Sequence, residues 1–329
     1  MNTTDRLLRY LKQKKGSFIS GEFLSGEFGI SRAAVNKHIQ KMRAEGYRIE
    51  SATKKGYRLE AVSPQLVPRE IREAIDTKTF GRQQIVHFDQ TDSTNLKVKA
   101  LAVQNAAEGT LVVAEEQVAG RGRKQRSWFS PAGTGIYASL ILRPPVSPGD
   151  APRITLMTAV AAAGALMKIT DLPIRIKWPN DLLVRGKKIA GILTEISTEM
   201  DAIEYIVIGL GVNVNTPQSS FPPELHDIAT SACIQSGKTF SRTMILAEYL
   251  VRLEAGYELV KAGDFDRIIA EWKALSHMIG QAVVVEELDK KYAGKVEDID
   301  DNGVLLVRDE KGELHRIFSA DITLVDRCS

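Results

Sequence analysis

Four stretches of the chain place anion-handling side chains beside glycines or tight turns. The first is Gln117-Val118-Ala119-Gly120-Arg121-Gly122-Arg123-Lys124-Gln125-Arg126, followed by Ser127-Trp128. Its four cations can bind phosphate or carboxylate, the arginines bidentately. Gly120 and Gly122 let the backbone come close to a ligand. The stretch is neither a P-loop, which needs GxxxxGK[ST], nor a dinucleotide fingerprint, and on its own it also reads as a solvated basic loop. The second is Lys177-Trp178-Pro179-Asn180-Asp181. Here a lysine ends an apolar strand and a Trp-Pro turn leads into the next. Lys177 reads as a fixed charge at a developing negative centre, or as an exposed lysine beside a buried tryptophan. The third, Ser93-Thr94-Asn95, reads first as a helix cap and second as a ligand site. The fourth, Gly209-Leu210-Gly211-Val212-Asn213-Val214-Asn215, ends an apolar strand with glycines that mark a close backbone approach, and Asn213 and Asn215 offer amides. HExxH, GxSxG and metal-spaced histidine pairs are missing from the sequence, and no cysteine sits in a basic turn. Hydrolase, metalloprotease and thioester chemistry are therefore disfavoured.

These stretches need a scaffold, and hydrophobic periodicity supplies one. Strands are expected over 85–88, 110–115, 136–142, 174–177, 181–184, 189–197 and 203–214. Helices are expected from Ser93-Thr94-Asn95 to about 105, over an Ala-rich 155–167, along the Ile245, Tyr249, Leu253, Tyr257 stripe, and over 265–275. This predicts helices on a mixed, largely antiparallel sheet, α/β or α+β. Ser63-Pro64 and Pro68 bracket a polar stretch that marks a boundary. After residue 276, five short strands separated by Asp301-Asn302-Gly303 and Asp309-Glu310-Lys311-Gly312 predict a small SH3-like β-barrel.

The 329 residues suit two or three domains. The formal charge of +3 hides an uneven split. Residues 1–60 hold 13 Lys/Arg against 6 Asp/Glu, while the rest is slightly acidic. In this basic head, Leu7, Leu8 and Leu11 define a first helix. Ser20 caps a second, Gly29 breaks it, and Ser31 caps a third with Val35, Ile39 and Met42 buried. Arg32, Asn36, Lys37 and Gln40 occupy another face of that helix and suit a major groove. Tyr47 and Ile49, then Tyr57 and Leu59, alternate with charged residues around a turn bearing Lys54 and Lys55, which predicts a wing that touches phosphates. The head reads as a winged helix-turn-helix that binds DNA, against the alternative of a small protein-interaction domain. The N-terminus lacks the apolar core of a secretory signal. The longest apolar run, 155–167, falls short of the ~20 residues that span a bilayer. A cytoplasmic chain with no membrane partner is expected. Cys233 and Cys328 have no partners at metal spacing, so no metal ligand is assigned and two free thiols are expected.

Read together, the winged helix, Ser93-Thr94-Asn95, Gln117 followed by GRGR, SPxGxGIY, KWPND, KxAGIL and GxGxNxN stand in an order that resembles the bifunctional biotin–protein ligases that also repress the biotin operon. The resemblance covers nearly the whole chain. It implies an α+β multidomain protein: a winged helix-turn-helix over 1–62, a mixed α/β ligase domain over 63–275 and an SH3-like domain over 276–329. It implies an ATP-dependent ligase that makes biotinyl-5′-adenylate and transfers biotin to one lysine of a biotin carboxyl carrier protein, the biotin domain of acetyl-CoA or pyruvate carboxylase. It further implies Mg2+ beside ATP and biotin, and an adenylate-bound homodimer that binds operator DNA.

By motif, the resemblance places Ser93, Thr94, Asn95, Gln117, Gly120, Arg121, Gly122, Arg123, Lys177, Gly191 and Ile192 around biotin. Arg123, Trp128, Lys177, Asn180 and Asn213 fall around the nucleotide, with Lys177, Arg121 and Arg123 catalytic. Ser31, Arg32, Asn36, Lys37, Gln40, Lys54 and Lys55 are the DNA contacts. The loop 120–123 would be mobile when empty and close over the ligand. The family's loop commonly reads GRGRRGR, and here Gln125 stands where its later glycine lies. Two other readings compete: a transcription factor that only senses biotin, and a lipoate or other acyl ligase with an accessory DNA domain.

Overall fold

The computed structural model describes residues 2–200, 202–287 and 290–325, so Cys328 lies outside the described residues. The basic head is three helices, α1 (Thr3–Gln13), α2 (Gly21–Phe28) and α3 (Arg32–Ala44), with the antiparallel hairpin β1 (Arg48–Ala52) and β2 (Gly56–Ala61). Local chemistry sets its boundaries. Ser20 Oγ accepts from the Phe23 amide at 3.0 Å, Gly29 ends α2 in the left-handed conformation at φ 63°, and Ser31 Oγ accepts from the Ala34 amide at 3.1 Å. Leu7, Leu11, Leu24, Val35, Ile39, Met42 and Leu59 form a separate core. This is the expected winged helix.

The stretch expected to be a polar linker is instead a buried strap. Ser63, Leu66 and Val67 are all buried, and α4 (Pro68–Ala74) follows at once. Proline at the first helical position favours that start. Pro64 and Pro68 suggested a loose boundary, but the apolar pair between them is packed.

The central body runs β3 (Ile85–Thr91), α5 (Thr94–Val103), β4 (Leu111–Gln117), β5 (Gly135–Leu142), α6 (Ala151–Thr170), β6 (Ile174–Lys177), β7 (Asp181–Val184), β8 (Lys187–Glu199), β9 (Ala202–Asn213), α7 (Ala232–Ser236), α8 (Arg242–Ala262) and α9 (Phe265–Leu275). Its seven strands are ordered β3-β4-β5-β9-β8-β7-β6, and β3–β4 is the one parallel pair. Side chains alternate across the sheet. On β9, Ile206, Ile208, Leu210 and Val212 join the core shared with α6, α8 and α9, whereas Tyr205 and Val207 face the cluster of α5. The helix expected over 155–167 is longer than the sequence suggested. With its preceding turn it spans Pro148–Thr170, 23 residues apolar enough to cross a membrane by length alone. Its apolar surface is spent on the core, since 67% of the apolar window is buried.

The C-terminal strands β10 (Ala282–Glu286), β11 (Lys291–Ile299), β12 (Leu305–Asp309), β13 (Leu314–Ile317) and β14 (Asp321–Leu324) form an antiparallel sheet ordered β13-β12-β11-β10-β14. No ladder joins the two edge strands among the described residues. Val283, Val285, Val296, Leu305 and Val307 belong to the same continuous core as the central sheet. Trp178 stitches the two parts, its indole N–H donating to the Gly303 carbonyl at 3.1 Å.

Candidate functional site

Sheet alternation carves the site. Gly209 and Gly211 continue the row of Tyr205 and Val207 on the α5 face of β9, but bring no side chains to it. A cavity of about 930 Å³ opens there. The close approach read from these glycines is real, and its partners are now visible. A Cβ on Gly209 would lie 2.0 Å from Asn95 Oδ1, and one on Gly211 would lie 2.5 Å from Trp128 Nε1.

Fifteen residues were assigned to ligands by sequence or resemblance, counting Ser93, Thr94, Asn95, Gln117, Gly120, Arg121, Gly122, Arg123, Trp128, Lys177, Asn180, Gly191, Ile192, Asn213 and the further amide Asn215. The cavity is lined by all of them except Gly120 and Asn215. Gly120 supports the lining from behind: its carbonyl accepts from the Trp128 amide, and a Cβ there would meet the Trp128 carbonyl at 2.5 Å. Asn215 is turned away and clamps the Phe240 backbone through both amide atoms, at 2.9 Å each.

At one end is a polar floor. Ser93 occupies the cap position of α5, yet its side chain makes no capping bond. Its amide instead donates to Asp92. Gln117 Oε1 accepts from the Thr94 amide at 2.8 Å, and its Nε2 donates to Ser130 Oγ at 2.9 Å. Ser139, fully buried on β5 and not anticipated from sequence, donates to Asn95 Oδ1 at 2.6 Å and accepts from the Thr94 hydroxyl at 2.7 Å. Asn95 is completed by Glu195 at 2.8 Å. This fixes the side-chain orientations before any ligand arrives.

At the other end are cations. Lys177 ends β6 on the cavity wall, ahead of the cis Trp178–Pro179 bond. Burial and the charges of Arg175 and Lys177 hold the neighbouring His277 below its ordinary pKa. Lys188, from the KxAGIL motif, was not singled out from sequence. It pairs with Asp181 at 2.6 Å and lies over the Trp128 ring at 5.3 Å. Asn180 pins the strand beside it through the Ile192 carbonyl at 2.6 Å. Two buried polar atoms on the wall lack partners, Trp128 Nε1 and Asn213 Oδ1. One is a donor and the other an acceptor, and each is covered by protein, Trp128 Nε1 against Gly211.

The basic loop is closed into a hairpin. The Gly122 amide donates to the Arg126 carbonyl at 2.7 Å, and Arg121 bridges Ser127. Lys124 and Gln125 both sit in the left-handed region, at φ 53° and 60°. A glycine suits that conformation better, so Gln125 bears backbone strain. The C-terminal sheet holds the loop: Asp321 receives Lys124 at 3.1 Å and Arg126 at 2.7 Å, while Arg123 donates to Ser319 at 3.0 Å. The two cations outweigh burial and hold the Asp321 carboxyl below its ordinary pKa.

The second site is on the head. Ser31, Arg32, Asn36, Lys37, Gln40, Lys54 and Lys55 are all exposed, along α3 and at the wing tip. Ser31 is engaged as the cap of α3. Phe18 braces the wing base, with Arg58 over its ring at 4.6 Å and Lys55 at 5.8 Å.

Comparison with known proteins matches a family model in each of the three parts of the chain. Residues 87–213 match the Biotin/lipoate A/B protein ligase family, residues 3–58 an HTH domain and residues 278–325 the biotin protein ligase C-terminal domain. The chain is 41% identical over 318 residues to the bifunctional ligase/repressor BirA of Bacillus spizizenii, covering 97% of each. It is 31% identical over 298 residues to the Escherichia coli protein of that name, covering 90% of this chain and 89% of the relative. Among solved structures, biotin protein ligase from Aquifex aeolicus in complex with biotin and ATP superposes with a TM-score of 0.64 at 28% identity, over 74% of this chain and all of that one. A cation-rimmed cavity with a polar floor, a winged helix and these likenesses converge: the chain belongs to the family of bifunctional biotin ligases and biotin-operon repressors.

Proposed function

We propose that biotin and ATP meet in the 930 Å³ cavity, and that the head carries the outcome to operator DNA. The observation that supports this best is the convergence of the Thr94–Gln117 floor, Lys177, Lys188 and the loop cations on one space.

In the first step a biotin carboxylate oxygen attacks the α-phosphorus of ATP. An O–P bond forms, pyrophosphate leaves, and biotinyl-5′-adenylate remains. Both reactants are anions, so Lys177, Arg121 and Arg123 offset their repulsion and the charge that grows on phosphate oxygens. Lys188 belongs in the same group. Ser93, Thr94, Asn95 and Gln117 hold the ureido ring, with Gly191 and Ile192 along the chain of biotin. Trp128, Asn180 and Asn213 line the nucleotide end. In the second step the ε-amine of a carrier-protein lysine attacks the acyl carbon and AMP leaves. The basic hairpin excludes water from the mixed anhydride between steps. No nucleophilic side chain is required.

ATP phosphates bring Mg2+ with them, usually held by one or two protein carboxylates and several waters. Four carboxylates line the cavity. Asp181 and Asp321 are paired with cations, Glu286 lies 3.8 Å from Lys291, and Asp227 has no ion-pair partner among the described residues. The one cluster of three possible ligands among the described residues, Asp309, Glu313 and His315, is not part of the cavity lining. Asp227 is therefore the lining residue that would hold Mg2+, with waters completing its shell, and the ion would offset charge on the ATP phosphates.

The functional units follow residues 1–62, 63–275 and 276–329. The acceptor is the biotin domain of acetyl-CoA or pyruvate carboxylase, the adenylate-loaded chain acts on DNA as a homodimer, and both activities are cytoplasmic. One assay tests the core of this reading: purified chain, ATP, labelled biotin or lipoate, and an acceptor domain. Biotin transfer is expected. Lipoate transfer would make it an acyl ligase of another specificity, and no transfer would leave only a sensor.

A further inference from the structure

The strap between head and body is tied down by one buried ion pair. Glu115 on β4 accepts from the Leu66 amide at 2.7 Å, and Arg242 at the start of α8 binds Glu115 at 2.7 Å and the Pro64 carbonyl at 2.7 Å. Their side chains are 8% and 2% exposed. Burial alone would raise the Glu115 pKa, but the His87 ring 3.5 Å away, the Arg242 guanidinium and the Leu66 amide hold it below the ordinary range, so the carboxylate stays charged.

The same pair reaches the ligand site. Gln117 lies two residues further along β4, and the turn that receives it is held from behind. Arg242 donates to the Gly135 carbonyl at 3.0 Å, the Gly133 amide to the Glu115 carbonyl at 3.0 Å, and the Gln117 amide to the Ser130 carbonyl at 3.2 Å. Toward the head, α4 continues the strap and grips α1: Lys12 meets Glu70 and Glu73 at 2.6 Å each, and Arg69 meets Asp5 at 3.2 Å and Glu45 at 2.7 Å.

We propose that Glu115 and Arg242 are positioning residues that make the seating of the DNA-binding head depend on occupancy of the biotin end of the cavity. This rests on the functional reading above. An arriving ureido group competes for the Gln117 amide, which is now shared between Thr94 and Ser130. Ser130 and Gln117 cannot shift without disturbing Glu115 or Arg242, because these groups are buried and have no water to substitute for a lost partner. The strap and α4 move with the pair, and the head moves with α4. A single hydrogen-bonded element thus has contacts that both sites can bias, the physical requirement for coupling.

The test compares operator binding with and without biotin plus ATP, using the full chain and labelled duplex from the control region of the biotin genes. Adenylate formation is measured in parallel. In the wild type, biotin plus ATP should strengthen binding at least about fivefold, the lower end of common couplings. In Glu115→Leu/Arg242→Leu, which removes both charges together, the response should fall below about twofold while adenylation continues. Glu115→Gln keeps an acceptor for Leu66 and should restore the response. Lys12→Ala removes two of the four ion pairs of the head-side grip, leaves the core intact, and should lower the response in the same direction even if the double variant folds poorly. An unchanged response in the double variant or in Lys12→Ala, whatever its stability, overturns the proposal. Failure of the wild type to adenylate or to bind the duplex would instead overturn the underlying reading.

Discussion

The molecule has two anion-handling surfaces, and their cations live in different physical worlds. On α3 and the wing the basic side chains are exposed and await a partner in water. Around the cavity Lys177, Lys188 and Arg123 are partly enclosed, and two of them are already oriented: Lys188 by Asp181 and Trp128, Arg123 by Ser319. A charge screened by water contributes little per residue and adds up over many contacts. A preorganised charge in a water-poor site is worth far more singly. The contrast teaches that one arginine count cannot be read as one kind of binding.

That contrast can be broken most directly at Lys177. Lys177→Ala should lose at least ~2.7 kcal/mol of transition-state stabilisation, ~10²-fold in the adenylation rate, as for loss of one oxyanion donor. Near-normal rates in single-turnover adenylation would remove Lys177 from the machinery. Next comes Gly211→Ala, which adds a methyl 2.5 Å from the Trp128 indole nitrogen. Overpacking of this kind costs ~1–3 kcal/mol. It should appear as weaker biotin-plus-ATP binding by calorimetry and quenched or shifted Trp128 fluorescence, with head binding to DNA in the absence of ligand unaffected.

A smaller effect is expected at Asp321. The two exposed pairs to Lys124 and Arg126 are worth ~1 kcal/mol together after screening, so Asp321→Asn should speed loss or hydrolysis of the adenylate about fivefold. Because the carboxyl is held below its ordinary pKa, the latch is complete above that ordinary value, about 3.9. It is lost only as pH falls through the lower, folded-state value. The difference between wild type and Asp321→Asn should therefore be flat from neutral pH upward, and a difference that titrates there would contradict the latch. Smallest is Lys55→Ala on the wing. It should weaken all duplexes alike and reduce the slope of log affinity against log salt by ~1, leaving adenylation unchanged.

How far the sequence led is clearest in particular residues. The head was legible because its signals agree: the capping serines, the Gly29 break and the α3 stripe each specify the same element. KWPND and the basic loop were legible as chemistry-bearing types beside turn formers. Lys188 was not, although its motif was noticed, since a lysine at a strand start looks like any solvated charge. Asp321 was invisible because its role depends on bringing residues about 195 positions apart together. Ser139 gave no signal either: a lone serine in an apolar strand is unremarkable until its partners are known. The strap failed for a different reason. Two prolines bracketed a stretch read as polar and as a boundary, and the partners that fix it, Glu115 on β4 and Arg242 on α8, are remote in sequence.

The separate core of the head and the shared core of the other two parts have a consequence for how such chains are cut and joined in evolution. The head meets α4 through ion pairs from Lys12, Asp5 and Glu45, and the strap adds only Val67 to its core. A gene shortened at its front would still encode a folded enzyme that has simply stopped listening to its promoter. A gene shortened at its back would strip Val283, Val285 and Leu305 from a common interior and orphan the Trp178 indole. Recombination can thus discard regulation and keep catalysis, while the tail is inherited with the enzyme or the enzyme is not inherited at all.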